Sequence, residues 1–392
     1  MTSLVQLLLL TALSLASFAP EVHAGSVPSR PHVELAPITL QRLRTRTDRK
    51  STSLDGPSTF AKVPRQHRSL EERAIGNPKG ASFYSAVVAV GASYTDNGHK
   101  RDGKYASSLR QYYPYDKYNG KYTNGRVGVE WMVETTTSPA LKRSRSGAIA
   151  LQDYAYGGSV VKNGLGGTGA SSPAAVDQIS SYLSDLRSGA FSPGSGRVLH
   201  YFNSGINPVS QIWNNAMSGG FSASAKANAV AAISSNIQAY GASIQSIARD
   251  STVRSKLAGV DFVMVGIPPL EIVPTFGWQV SSGVSKSDAL DFLKQLSNQY
   301  NSELRKFTSS FKTQFRYSRI FYYDLAGLWY SMNSSPSSFG LSASPVTKSC
   351  YDSSNGQVCS NPDSYLYWDT LHPTTAVHKI MAQKINALVL GM

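Results

Sequence analysis

The sequence predicts an α/β fold in which a mostly five-stranded parallel sheet is covered on both faces by helices. Three observations carry that reading. Short runs of apolar and β-branched residues recur from Ala81 to the end of the chain, they alternate with longer helix-like stretches, and each run is apolar throughout. A strand with one solvated face alternates apolar with polar residues, whereas a strand buried on both faces does not, and strands separated by helices build parallel sheets.

The strand-like runs are AVVAV at 86–90, GAIAL at 147–151, RVLHYF at 197–202, DFVMVGI at 261–267 and RIFYYDL at 319–325. Helix-like segments fall between them at 127–135, 173–187, 222–248 and 286–311, and TTAVHKIMAQKINALVL closes the chain. Together they form one domain over residues 78–392. Gly and Ser are frequent but keep no fixed period, so no internal repeat is expected. The Gly-rich stretch NGLGGTGASSP at 163–173 lacks the Lys-Ser or Lys-Thr ending of a phosphate cradle, which argues against nucleotide binding.

Two segments precede the domain. Residues 4–16 are nearly all apolar, Pro20 follows, and Val22-His23-Ala24 suits a signal-peptidase site, so residues 1–24 read as a secretory signal peptide. The apolar run is shorter than the ~20 residues that span a bilayer. A secreted, extracellular chain without stable membrane insertion is the expectation. Residues 25–77 carry ten Lys/Arg against five Asp/Glu with few aromatics, a composition that cannot bury enough apolar surface to fold alone. They read as a disordered pro-segment or linker, with RQHRSLEERA as a place for proteolytic trimming. The rest keeps 28 basic and 18 acidic residues, a net charge near +10 that draws a protein toward anionic surfaces such as pectin-like polysaccharide or lipid headgroups. No stripe of Arg/Lys interleaved with aromatics points to nucleic acid.

The two cysteines, Cys350 and Cys359, predict one short disulfide loop in an oxidising compartment. The sequon at Asn333-Ser334-Ser335 predicts a glycan in a Ser/Pro-rich surface loop. The chain is expected to act as a monomer.

Ligands of an open parallel sheet bind beyond the carboxyl ends of its strands, which singles out Gly91-Ala92-Ser93, Tyr156-Gly157-Gly158 and Gly205-Ile206-Asn207. A serine hydroxyl needs a base to take its proton and donors to hold the oxyanion that forms on the attacked carbonyl. The backbone N–H groups of Ser93 and Gly158 and the side-chain amide of Asn207 are candidate donors. Two Asp-x-x-His strings compete for the base, Asp96 with His99 and Asp369 with His372. On a helix His99 would lie about 240° around from Ser93 and point away. In the turn before Pro373, Asp369 can accept the imidazole Nδ1–H and leave Nε2 of His372 to face Ser93. Taken singly, a helix-capping Ser93, a turn glycine at 158, a capping Asn207 and a surface His372 are all ordinary. Their order and strand-end positions are what those readings leave unexplained.

With the blocks VAVGASYTDNG, DYAYGGS, NSGIN and WDTLHPT, and the segment NGRVGVEWM at 124–132, the chain resembles the SGNH (GDSL-type) hydrolases from about Ala81 onward. It looks most like fungal secreted members related to carbohydrate esterase family sixteen. The resemblance implies a three-layer α/β/α, flavodoxin-like fold. It also implies Ser93 as nucleophile, Gly158 and Asn207 as oxyanion donors beside the Ser93 N–H, His372 as base, Asp369 as its partner, and no metal or organic cofactor; a slip of one in the alignment makes Gly157 the alternative to Gly158. Two positions depart from the family pattern: Ala92 replaces the aspartate of Gly-Asp-Ser, and Pro208 replaces the aspartate after the third-block asparagine. The function this implies is an esterase for short acyl groups, such as acetyl, on plant cell-wall carbohydrate. The alternatives are a lipase or phospholipase using the same groups and a secreted non-catalytic binding protein.

Overall fold

The computed structural model describes residues 82–98, 121–144, 147–342 and 347–392. The signal peptide, the basic segment, the trimming site and His99 lie outside the described residues. Five strands form one parallel sheet in the order β2-β1-β3-β4-β5. They are β1 (Tyr84–Gly91), β2 (Ala150–Asp153), β3 (Arg197–Asn203), β4 (Val260–Val265) and β5 (Ile320–Tyr323). Val87, Val88, Ala89 and Val90 on β1, every residue of β3 and every residue of β4 are buried, as strands covered on both faces require.

The helices between them are α1 (Gly128–Val133), α2 (Ala175–Ser188), α3 (Ile206–Ser218), α4 (Ala223–Arg249), α5 (Ser251–Lys256), α6 (Lys286–Gln314), α7 (Leu325–Ser334) and α8 (Thr375–Leu390). The chain steps one way from β1 to β2, then back across β1 to β3, β4 and β5. Right-handed crossovers therefore put α1 on one face and α2 to α6 on the other. The packing agrees, since α1 lies against α8 while α4 touches α2, α3 and α6. Between β1 and β3 the direction of winding reverses, the point at which such sheets open a crevice at their carboxyl edge.

Three sequence expectations need correction. The second strand starts at Ala150, not Gly147, because β2 is an edge strand whose only partner segment on β1 is 86–89. Helix α3 begins at Ile206, in a stretch outside the helix-like segments of the sequence, so Asn207 lies within its first turn and does not cap it. Pro208 sits in its first turn, where a missing N–H costs nothing. Asn333 lies in the last turn of α7 and not in a loop, and its amide nitrogen donates to the Trp329 carbonyl at 2.9 Å.

At the far edge of the sheet Asp261 is fully buried and accepts from Arg197 (Nε, 2.8 Å), Arg319 (Nη2, 2.8 Å) and the Tyr84 hydroxyl (2.8 Å). Burial alone would raise its carboxyl, but the hydrogen bonds and charge of Arg197 and then of Arg319 hold it below the ordinary carboxylate range. This cluster ties the starts of β1, β3, β4 and β5 together, away from the carboxyl edge where the crevice opens.

Candidate functional site

Strand β1 ends at Gly91 and the chain turns at once, with Thr95 N and Asp96 N both donating to the Ala92 carbonyl at 2.9 Å. That turn carries Ser93. The Ala92 N–H donates to Asn203 at the end of β3, and Tyr156 N donates to Gly91, so the ends of β1, β2 and β3 are laced together. From α2, the buried Gln178 spans the same junction: its carbonyl oxygen accepts from Gly91 N at 2.9 Å, and its amide nitrogen donates to Gly91 O and Ser159 Oγ at 3.0 Å.

The fourth part comes from residues 365–374, ahead of α8. Asp369 Oδ1 accepts from Leu371 N (2.8 Å) and His372 N (2.6 Å), and Trp368 N donates to the His372 carbonyl (2.7 Å), which closes the turn on itself. Its other oxygen stands 2.8 Å from His372 Nδ1, and His372 Nε2 stands 2.8 Å from Ser93 Oγ. Ser93, Asp369 and His372 are each less than a tenth exposed. A carboxylate bonded to Nδ1 fixes the tautomer that leaves Nε2 able to accept a proton from a hydroxyl.

The disulfide Cys350–Cys359 supports this turn from behind. Its short hairpin, β6 (Tyr351–Asp352) and β7 (Gln357–Val358), donates from Cys350 N to Tyr367 O (3.0 Å) and from Tyr351 N to Trp368 O (2.6 Å). The Tyr351 ring stacks on Trp368 at 5.4 Å.

Of the expected donors, Gly158 is exposed with φ +75°, and Asn207 is half-buried on the first turn of α3. Among the described residues no acceptor is bonded to the backbone N–H of Ser93 or Gly158. Asn207 Nδ2 donates one hydrogen to the Ser159 carbonyl at 2.9 Å, which places the amide beside the Gly157-Gly158 turn with its second hydrogen still to give. The Gly157 N–H is committed, donating to Asp96 Oδ2 at 2.9 Å.

Several residues around this centre carried no signal in the sequence. The Tyr122 ring lies 5.1 Å from the His372 imidazole. Tyr94, just after Ser93, donates its hydroxyl to the Leu371 carbonyl at 2.7 Å and lies 5.9 Å from the same imidazole. Behind them His378 accepts at Nδ1 from Gly128 N, and burial, then the neighbouring His372, pull it down to about 3, so it stays neutral. Asp96 and Asp153 are buried near one another. The Asp-x-x-His string pointed Asp96 toward His99 rather than toward Gly157, and nothing marked Asp153.

A family model described as GDSL-like Lipase/Acylhydrolase matches residues 87–385. A GDSL esterase/lipase of Arabidopsis thaliana is 22% identical over 130 residues, covering 31% of this chain and only 36% of that protein. Another from the same plant is 22% identical over 289 residues, covering 68% of this chain and 76% of that one. Among solved structures, phospholipase A1 from Streptomyces albidoflavus NA297 matches 78% of this chain and 99% of its own at 15% identity, with a TM-score of 0.37. The family match runs from within β1 to within α8 and takes in the Ser93 turn and the Asp369–His372 turn, so the chain belongs to the GDSL-like lipase/acylhydrolase family.

Proposed function

We propose that the protein is a secreted serine esterase that removes short acyl groups, acetyl above all, from plant cell-wall carbohydrate. The observation that carries this reading is the continuous chain from Ser93 Oγ through His372 to Asp369, with both links at 2.8 Å. His372 Nε2 takes the proton as Ser93 Oγ attacks the ester carbonyl. The N–H groups of Ser93 and Gly158 and the amide of Asn207 receive the negative oxygen. His372 then protonates the departing alkoxide, and the acyl group stays on Ser93. Water deprotonated by the same imidazole releases the acid. The engagement of the Gly157 N–H by Asp96 supports Gly158 over Gly157 as the backbone donor.

The carbohydrate reading is supported by the resemblance of the blocks VAVGASYTDNG and WDTLHPT to carbohydrate esterase family sixteen and by the basic charge, which suits anionic wall polymers. A second support is Trp278, 74% exposed. It follows the short 3-10 turn Pro274–Gly277, which is tied to the catalytic turn by Thr275 N donating to Thr370 O at 3.0 Å. An aromatic face there suits a sugar ring. It would equally suit a lipid surface, and that observation keeps a lipase as the second reading. The disulfide fits an extracellular location.

The test is a panel of p-nitrophenyl acetate, butyrate, octanoate and palmitate beside acetylated xylan and pectin oligomers, run on wild type and Ser93→Ala. Rates that fall with chain length, acetate release from the oligomers and loss of both in Ser93→Ala are expected. Rates that rise with chain length would favour the lipase. Equal rates in the two proteins would remove the catalytic assignment and leave a binding protein.

A further inference from the structure

Two carboxyl groups behind the site are bonded in a reciprocal pattern. Asp96 lies three residues beyond Ser93 and is fully buried. Its Oδ1 accepts from Gly98 N at 3.0 Å, within its own segment, and its Oδ2 accepts from Gly157 N at 2.9 Å, across 61 residues. Asp153, the last residue of β2, mirrors it. Its Oδ1 accepts from Ala155 N at 2.9 Å, within its own segment, and its Oδ2 accepts from Asn97 N at 3.0 Å, back across 56 residues. Each carboxyl thus holds one N–H of its own loop and one of the other.

An ordinary Asx turn satisfies only its own segment, so the long-range halves of this pattern need a different reason. The arrangement is expensive. Asp153 is pushed well above the ordinary carboxylate range by burial first and by the charge of Asp96 second. What the cost secures is the relation between the loop carrying Ser93 and the loop carrying Gly158. With the Gly157 N–H held by Asp96 and the space at the Gly157 α-carbon closed by Tyr122, the peptide that presents Gly158 N–H has little freedom left.

We propose that Asp96 and Asp153 are positioning residues that clasp the nucleophile turn to the oxyanion turn and set the Gly158 N–H against Ser93. Neither touches substrate. The clasp acts on the transition state, because the oxyanion exists only after Ser93 has attacked. This inference rests on the esterase reading above. It also gives Asp96 a role independent of His99.

The experiment compares wild type, Ser93→Ala, Asp96→Asn, Asp153→Asn and the Asp96→Asn/Asp153→Asn double variant for kcat and KM on p-nitrophenyl acetate. Each is also checked for cooperative thermal melting and for the fraction of active sites. An asparagine keeps the size of the side chain but can accept at one end only, so one of the two N–H groups loses its partner. Asp96→Asn is expected to lose on the order of 10-fold to 10²-fold in kcat per active site, as a displaced catalytic group does. Its KM should stay within about threefold of wild type. Asp153→Asn should lose less, and the double variant should lose no more than Asp96→Asn alone, as for two halves of one device.

If Asp96→Asn keeps kcat within twofold of wild type, or if its loss only tracks the fraction of folded sites, the clasp is overturned and the esterase reading stands. Should Asp96→Asn not fold, the same criteria apply to Asp153→Asn, and kcat within twofold of wild type there overturns the proposal. Turnover that is equal in wild type and Ser93→Ala would sink the esterase reading, and the clasp with it.

Discussion

Alanine at two neighbouring glycines separates crowding of the site from backbone conformation. At Gly157 a β-carbon would stand 2.1 Å from the Tyr122 hydroxyl oxygen and 2.3 and 2.4 Å from ring atoms Cζ and Cε2. Carbon contacts rest at about 3.5–4.0 Å, so the ring must retreat by more than about 1 Å. Tyr122 is buried, and its ring packs on His372, so the displacement is passed to the imidazole. Overpacking of this kind costs about 1–3 kcal/mol of stability. A shift of about 1 Å in a catalytic group costs on the order of 10² in rate. At Gly158 the same β-carbon meets nothing within 4 Å. The only charge against Gly158→Ala is its φ of +75°, about 1–2 kcal/mol, and its N–H survives. Gly157→Ala should therefore lose on the order of 10² in kcat, whereas Gly158→Ala should stay within about tenfold of wild type while shifting the urea midpoint by a comparable amount. Steady-state kinetics on p-nitrophenyl acetate with parallel urea titrations decide it. A Gly157→Ala protein with near wild-type kcat, or a Gly158→Ala protein that is the worse of the two, would refute both the crowding at Tyr122 and the assignment of the donor.

Asp369→Asn keeps one oxygen for Leu371 N and His372 N but turns an amide toward His372 Nδ1, which moves the imidazole proton to face Ser93. Loss of about 10⁴ in kcat with a nearly unchanged melting temperature is expected, and a loss under tenfold would show that the carboxylate does not orient the base. Asn207→Ala should lower kcat by about 10² to 10³ with KM little changed, and a change confined to KM would assign the amide to substrate binding instead. Stability should fall in mild acid. Burial first of all pulls His200 down to about 4 and His378 down to about 3, while the unfolded chain binds those protons near pH 6.5. Their contribution is complete above pH 6.5 and is lost as the pH falls toward the folded values, about 2 kcal/mol for each histidine by pH 5. Urea titrations at pH 7 and pH 5 that gave the same free energy would contradict the neutral, buried state of both rings.

How much of this was legible in the sequence follows from which forces act locally. Strands β1, β3 and β4 are buried on both faces and declare themselves as unbroken apolar runs, whereas β2, an edge strand with one partner among the described residues, blurs into Gly147 and Ala148. Helix α3 was hidden because Pro208 breaks helices everywhere except the first turn, where it sits. Helix α7 was hidden because Ser and Pro after Trp329 read as loop, although Trp329 and Met332 drive its burial. At the site, Ser93, Asp369 and His372 could be named because each stands at a strand end or in a turn with a recognisable local pattern. The groups that hold them could not. Tyr122 against His372, Asp96 on Gly157 and Asp153 on Asn97 are contacts between segments tens to hundreds of residues apart, made by residue types common on any surface. In the sequence Asp96 pairs with His99, three residues on, because proximity is all that a string of residues offers. A parallel sheet brings the ends of β1, β2 and β3 to one edge whatever lies between them, and there a buried aspartate finds its second N–H 61 residues away. In such folds residues at strand ends and in turns are therefore easier to read from sequence than the buried groups that cross-link them.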